Sequence, residues 1–237
     1  MTRHIIVGDI HGCGQELLSL LAVLDYPQPG DRLICVGDLF DRGPLPQIVL
    51  NAFLEHAGRG AKEGYSFESV CGNHDDNLLM YCRFLFGKQP SMPYLSGTGE
   101  QTIELIEQAG MLEDLAMFLE DLEHVDTIQD DAGRWAVVHA GIDVKLGLRE
   151  TPRETKLAIR DWPAILPWHE LYDGSDGLIV HGHQHRDEPL VRRVDDLPVV
   201  INVDTSCCYG GSLTAYIVEE DRFISVPAAR VYHRERP

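Results

Sequence analysis

Three segments of this chain share one layout, and that repetition limits the folds open to it more than any other feature. Ile5-Ile6-Val7-Gly8-Asp9-Ile10-His11-Gly12 is the first, Leu33-Ile34-Cys35-Val36-Gly37-Asp38-Leu39-Phe40-Asp41-Arg42-Gly43 the second, and Val70-Cys71-Gly72-Asn73-His74-Asp75 the third. Each is a short apolar run, a glycine, and then a burst of side chains of the kind that bind metal. Leucines at 17, 18, 20, 21 and 24 follow the first at helical spacing, Pro46 opens a helix after the second, and 76–86 reads as a helix after the third, with acids at its N-terminus. The repeated strand–ligand–helix order predicts parallel strands joined by right-handed crossovers. Parallel α/β sheets place their sites at the C-terminal strand ends, so the three bursts are expected to meet there.

Between 87 and 134 the strand signal fades, and 101–109 and 111–122 read as amphipathic helices parted by Gly110. This predicts a helical insert at about 87–134 lying over the sheet, with Pro90, Pro93, Gly97 and Gly99 marking a loop near the site. Apolar runs recur at 135–138, 178–180, 199–203 and 213–218, with a helix or irregular piece between Pro152 and Trp168, and the later runs lie close together without evident helices between them. That spacing predicts antiparallel pairing in a second sheet, and hence an α/β (α+β) two-sheet β-sandwich flanked by helices.

At 237 residues the chain fits one domain, spanning 1–237. The formal charge of −18 excludes a sequence-independent nucleic-acid binder and predicts no duplex partner. Any anionic substrate must then be held by local cations, since the whole-molecule field repels it. No apolar run approaches the length of a membrane span, and the first strand begins within a few residues of Met1, so the reading predicts no signal peptide, no membrane and a cytoplasmic location. The six cysteines lack C-x-x-C spacing and read as free, mostly buried thiols.

The candidate ligands are Asp9, His11, Asp38, Asn73, His139 and one histidine of His181-Gly182-His183-Gln184-His185. Oxygen and imidazole donors without thiolate suit Mn²⁺, Fe²⁺ or Zn²⁺. Six donors are too many for one ion with an open position and fit two, roughly 3.5–4 Å apart, with Asp38 as the bridge. In an extended segment His181, His183 and His185 share a side, so alternation does not choose among them.

These segments, in this order and spacing, resemble the three signature segments of the phosphoprotein phosphatase family of metallophosphoesterases, with its calcineurin-like architecture. His139-Ala140-Gly141 looks like the family's fourth segment and Gly182-His183 its fifth, while 201–205 with Gly210-Gly211 resembles the C-terminal strand pair of bacterial members. The resemblance implies that Asp9, His11 and Asp38 hold one metal and that Asp38, Asn73, His139 and His183 hold the other, with Mn²⁺ the first choice. It implies His74 as general acid oriented by Asp41, and Arg42 and Arg160 as phosphate clamps. The implied reaction is in-line attack by a metal-bridging hydroxide without a covalent intermediate. The site is complete, which argues against an inactive phosphate-binding scaffold.

The pattern departs from eukaryotic-type members at Cys71, where they carry arginine before Gly-Asn-His, and at Asp75, where they carry glutamate. Gly-Asn-His-Asp and His139-Ala140-Gly141-Ile142 look more like the branch that splits diadenosine tetraphosphate symmetrically, to which nucleotide-capped RNA is a related substrate. The chain's length is nearer to the compact bacterial serine/threonine phosphatases. The sequence reading is therefore a serine/threonine-type phosphoprotein phosphatase acting on a phosphorylated protein, with the symmetrical tetraphosphatase, acting on a nucleotide, as its alternative.

Overall fold

The computed structural model describes residues 2–161 and 166–234. β1 (Arg3–Val7), α1 (Gly14–Val23), β2 (Asp31–Cys35), α2 (Pro46–Glu63), β3 (Ser66–Ser69) and α3 (Asn73–Leu85) follow one another as the repeat predicts. β1, β2 and β3 are parallel neighbours, with Ile5 opposite Leu33 and Leu33 opposite Phe67. Proline at the start of α2 suits a first turn whose N–H groups have no partner inside the helix, and Gly64, at φ +77°, caps its end in the left-handed region.

The stretch after α3 holds α4 (Gly97–Gln108) and α5 (Leu112–Leu122), then the short β4 (Ile128–Gln129). α4 and α5 lie mainly on α2 and α3, one layer further from the sheet than the sequence suggests. Ile103, Ile106, Leu115 and Leu119 enter the same core as Phe53 and Leu79, and Phe118 sits edge-on to Phe40 at 6.0 Å.

β5 (Trp135–Val137), α6 (Gly147–Glu150), α7 (Arg153–Ala158), α8 (Trp168–Leu171), β6 (Leu178–His181), β7 (Leu190–Val194) and β8 (Leu197–Asn202) complete the second sheet, in the order β4-β5-β6-β8-β7. Its three inner strands are parallel, and only β4 and β7, at its edges, are antiparallel. This corrects the expected antiparallel sheet. Among the described residues the β5–β6 connection carries three helices of four to six residues, two of them where the sequence suggests a helix or irregular piece between Pro152 and Trp168, and together they return the chain for a parallel strand. β7 and β8 form a hairpin across Asp195 and Asp196, both at positive φ as a tight primed turn requires. The 213–218 run is also reassigned: β9 (Ser212–Ile217) and β10 (Arg222–Pro227) join the first sheet, in the order β10-β9-β1-β2-β3, with β9 antiparallel to β1.

Alternation sorts the strand residues into layers. Ile6, Ile34, Val137, Val180 and Ile201 face the space between the sheets. Ile5 and Leu33 face the helices over the first sheet, and Ala136 and Ile179 face Trp168 and Tyr172 over the second. Such a sandwich brings the C-terminal ends of both parallel strand sets to one side.

Candidate active site

That side collects nearly every residue the sequence singled out. Asp9 and His11 follow β1, Asp38, Asp41 and Arg42 follow β2, and Asn73 and His74 open α3 after β3. From the second sheet, His139 follows β5 and His183 follows β6. His11, Asp38, Asp41, Arg42 and His183 all hold positive φ without being glycine, a conformation that costs energy and gathers at functional sites. The left-handed turn at His183 also breaks the extended segment in which the three neighbouring histidines were expected to share a side. His183 enters the site, and His181 is buried 5.1 Å from the Trp168 ring. His185 stays at the rim, its Nδ1 2.8 Å from Asp204 Oδ2 and its ring 4.7 Å from Tyr209.

Glycines bring the loops into contact. A side chain at Gly72 would land on the backbone N and carboxylate of Asp38, and one at Gly182 on the carboxylate of Asp9. Asp9, buried, accepts the His183 backbone N–H at 3.1 Å, tying the two sheets together. Asp38 Oδ1 accepts the His74 N–H at 2.9 Å.

The ring nitrogens converge. His11 Nδ1 lies 3.1 Å from Phe40 O and His139 Nδ1 2.7 Å from Val36 O, so each ring donates N–H to a carbonyl and turns Nε2 inward as an acceptor. His139 Nε2 then meets Asn73 Oδ1 at 3.1 Å, His183 Nδ1 at 3.2 Å and Asp38 Oδ1 at 3.5 Å. Acceptors facing acceptors in a buried site are the arrangement a cation stabilises. The protonation preferences report the same demand. Burial opposes charge on His139, but the Asp38 carboxylate outweighs it and pushes the ring up to about 10. Burial and the His139 charge push His183 down to about 2. Burial alone would raise Asp38, yet the facing histidines hold it well below the usual carboxylate range.

The donors form two groups, His11–Asp38–His74 and Asp38–His139–His183, with ligand atoms within 4.8 Å inside each. Asp38 belongs to both. The residues therefore fit two ions sharing one carboxylate, while Asp9 stands beside the groups, turned toward the His183 amide.

A second set of contacts surrounds His74. Its Nδ1 lies 2.6 Å from Asp41 Oδ2, which leaves Nε2 facing the centre, where Arg42 Nη2 approaches to 2.8 Å. Burial raises Asp41, and the hydrogen bond and charge of His74 outweigh that and hold it at about 2. Arg42 also touches His11 Nε2 and lies over the Tyr209 ring at 5.3 Å. Arg160 is exposed at the end of the α7 segment, has no ion pair or hydrogen bond among the described residues, and is near enough for its charge to act on His183.

Sequence reasoning missed several supports. The buried Asp75 carboxylate accepts N–H from Leu39 at 3.0 Å and from Gly72 at 3.1 Å, binding the Asp38 loop to the start of α3. Its signal was present as the acid three residues after Gly72 at a helix start. Ser96, capping α4, reaches Asp41 at 3.4 Å, so the insert does touch the site where Gly97 and Gly99 suggested. Tyr209 had no local signal.

Residues 2–201 match the calcineurin-like phosphoesterase family. The chain belongs to that family. As a calcineurin-like phosphoesterase it is a metal-dependent phosphoester hydrolase. It is similar to proteins named bis(5′-nucleosyl)-tetraphosphatase PrpE [asymmetrical]. It is 30% identical to the one from Bacillus subtilis, over 98% of this chain and 97% of the relative. It is 29% identical to that of Halalkalibacterium halodurans, over 94% and 93%. A crystal structure with the provisional name diadenosine tetraphosphatase superposes with a TM-score of 0.70 at 26% identity, covering 96% of this chain and 94% of that one. A protein-tyrosine phosphatase from a Shewanella species, at 18% identity and TM-score 0.63, over 95% of this chain and 77% of that one, shares the fold. The Bacillus and Halalkalibacterium relatives are named for asymmetrical cleavage, whereas the sequence alternative is symmetrical cleavage.

Proposed function

We propose that this phosphoesterase hydrolyses a phosphoanhydride bond of dinucleoside tetraphosphates asymmetrically, releasing a nucleoside monophosphate and a nucleoside triphosphate. The observation that carries this substrate class is the near full-length similarity to the tetraphosphatases from Bacillus subtilis and Halalkalibacterium halodurans. The serine/threonine phosphatase reading keeps the same centre but lacks an arginine at Cys71.

Asp9, His11 and Asp38 would hold one divalent ion and Asp38, Asn73, His139 and His183 the other, with Mn²⁺ suited to this donor set. When bound, the pair supplies Lewis acidity and lowers the pKa of a bound water toward ~7. The chain's own residues do the rest. Arg42 and Arg160 grip phosphoryl oxygens, for which a planar guanidinium offers paired donors. Asp41 fixes the His74 ring, and His74 delivers a proton from Nε2 to the departing oxygen. Ligands from both sheets meet at one point, which supports residues 1–237 acting as a single domain. Free, buried cysteines support a cytoplasmic setting.

The test is kcat/KM for diadenosine tetraphosphate against a phosphoserine peptide with Mn²⁺-loaded protein, the products separated by chromatography. Preference for the dinucleotide, giving AMP and ATP, is expected. ADP alone would overturn the regiochemistry, and preference for the peptide would overturn the substrate.

A further inference from the structure

A cavity of about 510 Å³ opens beside the metal-ligand side chains, in the β5–β6 connection. Its volume falls in the range typical of small-molecule sites, ~300–1,000 Å³. Val144, Ile159, Leu171 and the edge of Trp168 supply apolar wall, and Lys145 and Arg160 supply charge. The cavity is continuous with the centre in two ways. Trp168 packs so closely on Gly141 that a side chain there would strike the indole, and Gly141 lies two residues beyond His139. Ile142, the next residue, already lines the cavity, as does Arg160 at the end of the α7 segment.

The charges of the cavity are unevenly matched. Asp161 is already paired with Arg186 at 3.0 Å, and Asp143 accepts the Lys145 backbone N–H at 2.9 Å. The side chains of Lys145 and Arg160 have no ion pair among the described residues. In a chain with 38 acidic and 20 basic residues, two uncommitted cations at one cavity are a local exception to the overall field. An apolar cavity with cations beside a phosphoryl-transfer centre matches a group that is flat and weakly polar at one end and anionic at the other.

We propose that this cavity is the nucleoside site, taking the base and ribose of one end of the dinucleotide, with Lys145 and Arg160 on the adjoining phosphates. The inference rests on the dinucleotide reading above and deepens it. A phosphoserine peptide has no such end group to place there. Because the cavity's Trp168 packs on Gly141, two residues beyond His139, few phosphates separate the bound nucleoside from the reacting phosphorus. The product nearest the cavity is then the nucleoside monophosphate.

The test uses the full chain loaded with Mn²⁺ for kinetics and with diamagnetic Zn²⁺ for ¹⁵N NMR of the tryptophan indole N–H groups, the Trp168 signal being assigned by its loss in Trp168→Phe. Adenosine monophosphate is expected to move the Trp168 signal, and inorganic phosphate to leave it in place. Leu171→Glu, at an exposed wall position, is expected to weaken adenosine monophosphate binding at least tenfold. It should also lower kcat/KM for diadenosine tetraphosphate at least tenfold more than for p-nitrophenyl phosphate. A monophosphate that binds without moving Trp168, or a Leu171→Glu effect equal on both substrates, overturns the site even where the wild type cleaves the dinucleotide well. If the wild type fails to cleave the dinucleotide while the monophosphate still moves Trp168, the site stands and the dinucleotide function falls.

Discussion

His74 illustrates what a single side chain does here. The Asp41 carboxylate fixes one ring nitrogen at 2.6 Å and leaves the other facing the centre, the placement that the proposed proton delivery to a leaving oxygen would require. His74→Asn is expected to keep metal stoichiometry and to lower kcat by ~10²–10⁴ for substrates with poor leaving groups. The loss should be much smaller for p-nitrophenyl phosphate, whose leaving oxygen needs little protonation. Equal losses for the two would remove His74 from the acid role. The residues legible in the sequence were those whose chemistry is unusual after a strand: Asp9, Asp38 and His74 were visible because a repeated pattern made them so. Asp75 and Tyr209 act through contacts from other segments, Asp75 on the Asp38 loop and Tyr209 under Arg42, and such contacts leave little local trace.

Among the elements, the N-terminal βα repeats were readable because each strand and helix is long enough to show its period. The second sheet was less so, because the β5–β6 crossover is broken into helices of four to six residues and β8 reaches its parallel place beside β6 by way of the β7 hairpin rather than through a helix. β6 also ends on a liability. Burial pushes His181 down to about 3, and its Nε2 has no hydrogen-bond partner among the described residues. The folded pKa is below the unfolded value of ~6.5, so unfolding takes up a proton, and stability falls as pH drops through 6.5 and continues to fall toward 3. His181→Phe removes that linkage. Between pH 7.5 and pH 5.0, urea unfolding should show the variant gaining about 2 kcal/mol relative to wild type. A difference constant over that interval would mean that His181 is not buried as the neutral ring.

At the scale of the molecule, the site joins the two sheets. Asp9, His11 and Asp38 come from the first and His139 and His183 from the second. Ions held by both add to the stability of the sandwich. Saturation at 100 times Kd contributes about 2.7 kcal/mol per ion, which for a chain of this size raises Tm by roughly 5–10 °C. Chelation of both ions should lower Tm by about twice that amount, roughly 10–20 °C, and Mn²⁺ should restore it. A Tm indifferent to chelator would show that the sheets do not depend on the ions. Among the described residues no helix is long and apolar enough to cross a membrane.

β1 lies between β2, which follows it at once, and β9, which ends at residue 217. While the ribosome works through everything in between, β1 keeps one flank bare, an open edge of the kind that invites pairing with other chains. The first ligand loops emerge early, but β9, which covers the bare flank of β1, follows every one of the candidate ligands in the chain. Such a chain cannot close its first sheet in the order in which its strands are made, and the loops after β1 and β2 wait for β9 before their framework is whole.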